Sequence, residues 1–339
     1  MVVEDATESA RDLLANVTPT TVLNQAFWKN LTFFALVQPD ADILPVRTAY
    51  SGKVMNIGVN PLTSQEPIYY AGPDLVSSAL LTGRPPRILQ AFRVVPMGKQ
   101  AGLKSVSLRG MIEIDPRHND FFKVVPEARA RVRSDQSLPK EERDALAYFL
   151  KILANAGSYG LFVEVNPTRV GTDPKTGKPA RAHLRVFSGE QAFEQTSPVV
   201  EESGLWYCPV FASLITAGGR LLLALLERMV TDAGGNYLMC DTDSMAIVAS
   251  RNGGLVPCIG GEHHLDGQEA IHALSFADVR KFVDQFELLN PYDRDAVTEP
   301  ILKIEKVNYD ADGNQREVWG YAIAAKRYSL FTKEGDCEI

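Results

Sequence analysis

The stretch from Tyr237 to Val248 constrains this chain most, because two apolar runs flank the polar sequence Asp241-Thr242-Asp243-Ser244. Apolar residues with high β propensity favour buried strands, and Asp, Thr and Ser favour the turn between them. We therefore predict a β-hairpin at this place. Residues two apart on a strand point to the same face, so Asp241 and Asp243 are expected to share one face.

Two interpretations of this aspartate pair are open. Carboxylates beside buried strands are costly unless a cation compensates them, and Mg²⁺ prefers hard oxygen ligands of this kind. Such a site suits phosphoryl or nucleotidyl transfer with two metal ions. The alternative is an ordinary turn, in which the Asp, Thr and Ser side chains only cap nearby backbone N–H groups.

The bulk properties are those of a soluble globular chain with one large domain or two. It has 339 residues, of which 45% are hydrophobic. We see neither an apolar run long enough to span a bilayer nor a secretory signal, so we expect a cytoplasmic protein without a membrane partner. The net charge of -7 disfavours nucleic-acid binding, but basic residues concentrate at 123–151, 169–185 and 326–327. This distribution fits either a basic groove or ordinary solvated faces.

Hydrophobic periodicity and turn residues predict the following order of elements. Helices are expected at 7–35, 73–81, 116–134, 139–156, 207–229 and 276–286. Strands are expected at 33–37, 43–50, 54–59, 68–70, 160–165, 182–187, 301–307 and 317–330, the last two flanking a turn at 310–314. The helices at 116–134 and 139–156 have so short a link that they should form an antiparallel hairpin.

Polar residues gather near the end of the second helix of that hairpin. Lys151 and Asn155 are four residues apart, so they share a helical face and could reach one polyphosphate together. Arg129 and Arg133 lie one turn apart on the facing helix. The alternative is that Lys151 only complements the dipole at a helix C-terminus and that the arginines form a solvated face.

Four segments in this order resemble the motifs of the family B DNA polymerases, over residues 110–330. Their Lys-x-x-x-Asn motif B resembles Lys151 to Gly160, and their Ile-Thr-x-x-Gly-Arg segment resembles Ile215 to Arg220. Their motif C resembles Asp241 to Ser244, and their Lys-x-Tyr motif resembles Lys326-Arg327-Tyr328.

The resemblance implies a role for each matching residue. The metal ligands would be Asp243, then Asp241, with Glu305 nearby, and the metal would be Mg²⁺ or Mn²⁺. The nucleotide would contact Lys151, Asn155, Tyr159 and one of Arg129 and Arg133. The primer would contact Lys326, Arg327 and Tyr328. The implied partners are primer-template DNA and deoxynucleoside triphosphates.

The sequence also departs from the family. Met239-Cys240 stand where a Tyr-Gly pair is usual, and one extra residue separates Asn155 from Tyr159. We find no motif A aspartate, no exonuclease domain and no thumb, since eleven residues follow Tyr328. We therefore expect an incomplete polymerase, consisting of the fingers and the C-terminal palm, with a second chain supplying motif A, exonuclease and thumb.

The resemblance implies an α+β fold, in which helices back an antiparallel palm-type sheet. The expected parts are an N-terminal region with a β-rich insert at 1–109, a helical-hairpin fingers subdomain at 110–160 and the palm at 161–339. Two other functions stay open. One is a degenerate polymerase-like module that binds nucleic acid or nucleotide without catalysis, and the other is an unrelated Mg²⁺-dependent phosphotransferase.

Overall fold

The computed structural model describes residues 2–50, 54–98, 101–188, 191–324 and 327–332. The α-helices are α1 (Thr7–Ala15), α2 (Pro19–Val22), α3 (Gln25–Trp28), α4 (Gly72–Thr82), α5 (Phe121–Ser134), α6 (Lys140–Asn155), α7 (Pro209–Asp232) and α8 (Phe276–Phe286). The first twelve strands are β1 (Val2–Asp5), β2 (Phe33–Gln38), β3 (Asp42–Tyr50), β4 (Val54–Leu62), β5 (Ile68–Ala71), β6 (Arg87–Val95), β7 (Val106–Leu108), β8 (Ile112–Ile114), β9 (Val165–Arg169), β10 (Ala182–Ser188), β11 (Gln191–Ser197) and β12 (Val199–Ser203). The others are β13 (Tyr237–Asp241), β14 (Ser244–Ile247), β15 (Ala249–Ser250), β16 (Gly254–Pro257), β17 (His263–Leu265), β18 (Gln268–Ser275), β19 (Trp319–Ala324) and β20 (Arg327–Phe331).

The chain divides into two compact units. Unit 1 comprises Met1–Asn16, Leu31–Gly218 and Pro291–Thr298, and unit 2 comprises Val17–Asn30, Gly219–Asn290 and Glu299–Ile339. Most of the strand pairs in both units are antiparallel, which confirms the expected α+β class. The palm-type arrangement and the division at residues 109 and 160 stay predictions.

The first sheet of unit 1 has the strand order β1-β6-β2-β5. Phe33, Ala35 and Val37 alternate with half-buried residues along β2, because one face of a strand can pack on a core while the other meets a less apolar layer. Helix α4 is buried along most of its length, begins with Pro73 in its first turn and ends at Gly83 in the left-handed conformation. Both end signals are those that a helix prefers.

The predicted helical hairpin is confirmed as α5 and α6 in unit 1. Buried apolar residues at helical spacing join the two helices, and these are Val125, Ala128, Val132, Leu146, Ala147 and Leu150. Asp120 begins α5 by accepting a hydrogen bond from the backbone N–H of Phe122 at 2.9 Å. Residues 135–139 form the link, which is short enough to make the helices antiparallel.

Unit 2 contains two β-hairpins and a mixed sheet. The hairpins are β13–β14 and β19–β20, and the sheet has the order β15-β18-β16 with β17 also paired to β18. Leu238 of β13 packs over Gly320 of β19, where a Cβ atom would lie 2.4 Å from the leucine Cδ2. A glycine at this position therefore lets the two hairpins approach each other closely.

The single helix expected at 7–35 is wrong. The chain forms three short helices instead, because Thr18 and Asn24 begin new helices by accepting backbone hydrogen bonds from Thr21 and Ala26. The last part of the range is β2. The helix expected at 207–229 is confirmed as α7, with its bounds at Pro209 and Asp232.

Three strand predictions are also corrected. Residues 160–163 are helical, and strand β9 begins only at Val165. Residues 301–305 are irregular and lead into a short 3₁₀ turn at Lys306–Asn308. The strand expected at 317–330 is instead two paired strands, β19 and β20, while the turn at 310–314 is confirmed.

Two helical stretches, Lys140–Val163 and Pro209–Asp232, are long and apolar enough to cross a membrane. Core helices of soluble proteins have the same composition and length, so this observation is weak evidence for membrane insertion. The cytoplasmic location and the absence of a membrane partner stay predictions.

Candidate functional site

The predicted hairpin around the aspartate pair is present in unit 2. Asp241 ends β13 opposite Ser244 of β14, and Thr242 and Asp243 form the turn. The backbone N–H of Asp243 donates to the carbonyl of Asp241 at 2.6 Å, and Thr242 has a φ of 55°. A β-branched residue with positive φ is a backbone outlier, so the turn holds conformational strain beside the carboxylates.

The shared face predicted for Asp241 and Asp243 does not follow from this turn. Alternation applies along an extended strand, and β13 ends at Asp241, so it does not fix the direction of the Asp243 side chain. Asp241 is half-buried, whereas Thr242, Asp243 and Ser244 are exposed. The hydroxyl of Thr242 donates to Oδ1 of Asp241 at 2.9 Å, and the hydroxyl of Ser244 donates to the carbonyl of Asp241 at 3.1 Å, which is the kind of side chain to backbone bond found in an ordinary turn.

Two carboxylates at an exposed turn can supply part of a metal shell. Mg²⁺ commonly takes one or two protein carboxylates and completes its six positions with water and substrate phosphates. Among the residues that the structure describes, no group of three His, Cys, Asp or Glu side chains gathers to hold a metal. The donor set therefore fits Mg²⁺ or Mn²⁺ only with further oxygens from substrate, water or another segment.

The base of the hairpin is tied to helix α7. The hydroxyl of Tyr237 donates to Oε1 of Glu227 at 2.8 Å, and burial followed by this hydrogen bond raises the pKa of Tyr237. Partial burial of its sulfur, and then the negative charge of Glu227, raise the pKa of Cys240 to about 11. The thiol before Asp241 is thus protonated at neutral pH.

Glu305 does not lie on a strand. It precedes the 3₁₀ turn at Lys306–Asn308, is exposed, and lies 4.0 Å from Nζ of Lys303. Its expected strand is therefore wrong, and its role near a metal stays a prediction.

Two of the predicted primer-binding residues, Arg327 and Tyr328, lie in β20. Arg327 is exposed at the start of β20 and pairs with Ala324, while Tyr328 is half-buried opposite Ala322. Lys326 lies outside the described residues. The ladder is irregular between Ala322 and Ala324.

The predicted nucleotide-binding residues of unit 1 lie at the end of α6. Lys151 and Asn155 are exposed and one helical turn apart. The helix then continues as a π-helical turn at Ala156–Gly160, in which the N–H of Leu161 donates to the carbonyl of Ala156. Such single π turns inside helices occur frequently at functional sites. The backbone of Tyr159 lies in this turn, and its side chain is outside the described part of the chain.

Gly157 lets this π turn approach the start of α5. A Cβ atom at position 157 would lie 3.1 Å from Cε1 of Phe121 and 3.5 Å from Cε1 of Phe122. The two phenylalanine rings pack edge to face at a centroid distance of 5.4 Å. The predicted motif B segment is thus fixed against the opposite helix of the hairpin.

Arg129 and Arg133 lie on one side of α5, away from the buried residue Glu127. Arg129 is half-buried, and its Nε has no hydrogen-bond acceptor among the residues that the structure describes. Arg133 is exposed and takes part in a further interaction. The buried Glu127 was not predicted as a site residue. The spacing of Lys123, Glu127 and Arg131, four residues apart, indicates one charged face of the helix.

A separate cavity of about 320 Å³ lies at one end of the first sheet. Asp42 is buried there, and its Oδ1 lies 3.6 Å from Nη1 of Arg84 without a hydrogen-bond partner in the described residues. Its Oδ2 accepts from the backbone N–H of Asp40 at 3.0 Å. None of the predicted site residues lines this cavity.

The predicted residues fall into two groups by unit. Arg129, Arg133, Lys151 and Asn155 belong to unit 1, and Asp241, Asp243, Glu305, Arg327 and Tyr328 belong to unit 2. The structure brings the residues of each motif together, and a single cleft formed by all of them stays a prediction. No protein-family model, no curated protein and no solved structure matches this chain.

Proposed function

We propose that this chain forms the fingers and the C-terminal palm of a family B DNA polymerase, an incomplete template-directed nucleotidyltransferase. The observation that carries the proposal is the strained hairpin turn, which presents Asp243 and Asp241 at the exposed end of two apolar strands. Strained backbone of this kind clusters at functional sites. The order of the four motif-like segments along the chain supports the same family.

Asp243, with Asp241, would hold Mg²⁺ or Mn²⁺ at the end of the hairpin. The bound metal ions would supply charge stabilisation for attack of a primer 3′ hydroxyl on the α-phosphate of a deoxynucleoside triphosphate. Lys151 and one arginine of α5 would neutralise the triphosphate, with Asn155 beside them. Lys326, Arg327 and Tyr328 would contact the primer backbone, which positions the DNA without reading its sequence.

The π turn supports the motif B assignment. An α-helix that gains one residue without other change rotates everything after the insertion by about 100°. A π turn accommodates an extra residue in its wider turn. The extra residue between Asn155 and Tyr159 can therefore be absorbed within Ala156–Gly160.

Arg129 is the better supported of the two candidate arginines. Its buried Nε has no hydrogen-bond acceptor among the described residues, and an unsatisfied donor is costly. A guanidinium group can bind phosphate through two parallel hydrogen bonds. Arg133 is the alternative on the same side of the helix.

Primer extension tests this proposal directly. The chain alone should not extend a labelled primer, whereas a mixture of the chain with a second chain that supplies motif A, exonuclease and thumb should do so with Mg²⁺ and deoxynucleotides. Asp243→Asn should lower the rate by about 10²–10³, the range for removing one electrostatic stabiliser of a transition state. The matched control is Asp284→Asn, an exposed acid on α8 that should leave the rate unchanged. Extension that is equal in all three proteins would exclude Asp243 from catalysis.

The alternative is a binding module without catalysis. The observation that favours it is that no third carboxylate accompanies Asp241 and Asp243 among the described residues. This module would bind primer-template DNA or nucleotide with equal affinity in the wild type and in Asp243→Asn, and neither protein would extend a primer. Fluorescence anisotropy with labelled DNA, beside the extension assay, separates the two functions.

A further inference from the structure

Glu127 is a buried acid in the middle of α5, with 6% of its surface exposed. A buried carboxylate is costly unless charges and hydrogen bonds compensate it. Lys123 Nζ lies 3.9 Å from Oε1, and Arg131 Nη2 lies 3.9 Å from Oε2, one turn to either side. A shorter contact comes from outside α5: the backbone N–H of Asp293 donates a hydrogen bond to Oε1 of Glu127 at 2.8 Å.

Asp293 lies in an irregular segment at residues 291–298, which we call the strap. The strap belongs to unit 1, although the chain on either side of it belongs to unit 2. Asp293 organises the strap: its carbonyl accepts from the N–H groups of Ala296 and Val297, and its Oδ1 accepts from the N–H of Asp295. Its Oδ2 lies 3.4 Å from Nη2 of Arg131.

Tyr292 of the strap lies within electrostatic range of the acids of α5. Its side chain is half-buried, and burial, followed by the negative charges of Glu127 and Asp120, raises its pKa. The strap thus meets the helix through one backbone hydrogen bond and one ion pair. Both lie on the side of α5 that carries Glu127.

The remaining faces of α5 have different neighbours. Residues advance by about 100° around a helix, so Val125, Ala128 and Val132 lie on the face toward α6, where they are buried. Arg129 and Arg133 lie about 200° and 240° from Glu127, on the third face. Helix α5 is therefore held on two sides, and these two contacts determine where the arginine face points.

We propose that Glu127 is a positioning residue, which holds the strap on α5 and thereby orients Arg129 and Arg133 toward the nucleotide triphosphate. The nucleotide part rests on the proposed function, whereas the attachment of the strap through Glu127 does not. Two variants separate charge from hydrogen bonding. Glu127→Gln keeps an oxygen that accepts from Asp293 but removes the charge, and Glu127→Ala removes both.

Hydrogen exchange on the full chain tests the attachment. The amide of Asp293 should exchange about tenfold faster in Glu127→Ala, since the lost bond involves a charged acceptor, and Glu127→Gln should be intermediate. Asp144→Ala, an exposed acid on α6, is the control and should match the wild type. The amide of Ala35 in β2 should be unchanged in all of them, which excludes global unfolding. Unchanged exchange at Asp293, or an equal rise at Ala35, overturns the attachment.

Steady-state primer extension by the same mixture of two chains tests the positioning role. Glu127→Ala should raise KM for the deoxynucleotide about tenfold while kcat and KM for the primer-template change less than about threefold, and Glu127→Gln should recover part of the loss. An unchanged nucleotide KM, together with faster exchange at Asp293, overturns the positioning role. Extension absent from every protein, wild type included, overturns the proposed function and the nucleotide role together, while the exchange result still decides the attachment.

Discussion

At the scale of single residues, Thr242 holds the most strained backbone of the candidate metal site. Its φ of 55° forces a β-branched side chain into the left-handed region, where a non-glycine residue costs about 1–2 kcal/mol. A protein retains such strain where the surrounding structure fixes it, and here the fixed element is the turn that carries both aspartates.

Thr242→Gly should therefore be more stable than Thr242→Ala by about 1–2 kcal/mol. Both variants lose the hydroxyl that donates to Asp241, so their difference isolates the backbone term. Urea denaturation followed by circular dichroism measures it. Equal stability of the two variants would show that position 242 does not hold a positive φ.

The residue before Asp241 gives a prediction about pH. The pKa of Cys240 is raised from its usual value near 9 to about 11, so the folded protein keeps the proton longer than the unfolded chain. Alkylation needs the thiolate, so the labelling rate of Cys240 should rise with a midpoint near pH 11 in the folded state and near pH 9 in denaturant.

The same shift has a consequence for stability. The contribution of a protonated Cys240 is fully present below pH 9 and is lost as the pH rises through 11. Glu227→Gln removes the nearby negative charge, so it should lower the labelling midpoint while leaving part of the shift due to burial. Peptide mapping after iodoacetamide treatment follows this site alone, and a folded-state midpoint near pH 9 would contradict the expectation.

At the scale of elements, the π turn at Ala156–Gly160 is the feature with the sharpest test. Deleting Ala156 should convert the π turn into an ordinary α turn and keep the following residues in phase. The deletion should therefore preserve helical content and the unfolding midpoint. Deleting Tyr148 is the matched control, because it should rotate Leu150 out of the hairpin core by about 100°.

The Tyr148 deletion should lower the free energy of unfolding. Removing a buried leucine contact from a core costs about 2–5 kcal/mol, so the Tyr148 deletion should unfold at a clearly lower urea concentration. Circular dichroism during urea titration compares the two deletions. A similar loss of stability in the Ala156 and Tyr148 deletions would mean that the extra residue is needed for helix packing and is not simply absorbed by the π turn.

The elements also show which parts of the fold a sequence can predict. The α5–α6 hairpin was predicted because its signals are local, namely helical spacing of apolar residues and a short polar link. Residues 301–307 include the β-branched residues Ile301, Ile304 and Val307, which favour strands, yet they form none, since a strand needs a partner and local sequence does not reveal one. The contact of Glu127 with Asp293 joins residues 166 positions apart, beyond any local pattern.

In the candidate site, too, features set by local sequence were predicted, whereas features set by tertiary contacts were not. The hairpin turn at Thr242 and Asp243 follows from neighbouring residues, and it was predicted correctly. The strained φ of Thr242 and the π turn were not predicted, because tertiary packing fixes both. The strand predicted at Glu305 is absent, because the neighbouring strand that it would need cannot be read from local sequence.

At the scale of the whole molecule, the net charge of -7 makes the distribution of basic residues decisive for DNA binding. Each phosphate contact that a protein makes releases counterions, so binding weakens as salt rises with a slope of about -0.9 per contact. Arg327 is exposed at the start of β20, where it is expected to contact a primer phosphate. Arg327→Ala should reduce the magnitude of the salt slope by about one and weaken binding equally for all sequences.

Fluorescence anisotropy with labelled primer-template DNA over a series of salt concentrations measures this slope. Arg181→Ala is a suitable control, because Arg181 is exposed but bonded to Thr196, so its loss should leave the slope unchanged. Equal slopes in the wild type and in Arg327→Ala would remove the β19–β20 hairpin from the DNA interface. An equal change of the salt slope in Arg327→Ala and Arg181→Ala would instead mean that DNA binding depends only on the total charge of the molecule. Two arginines at different places contribute equally to the slope only when neither makes a specific phosphate contact.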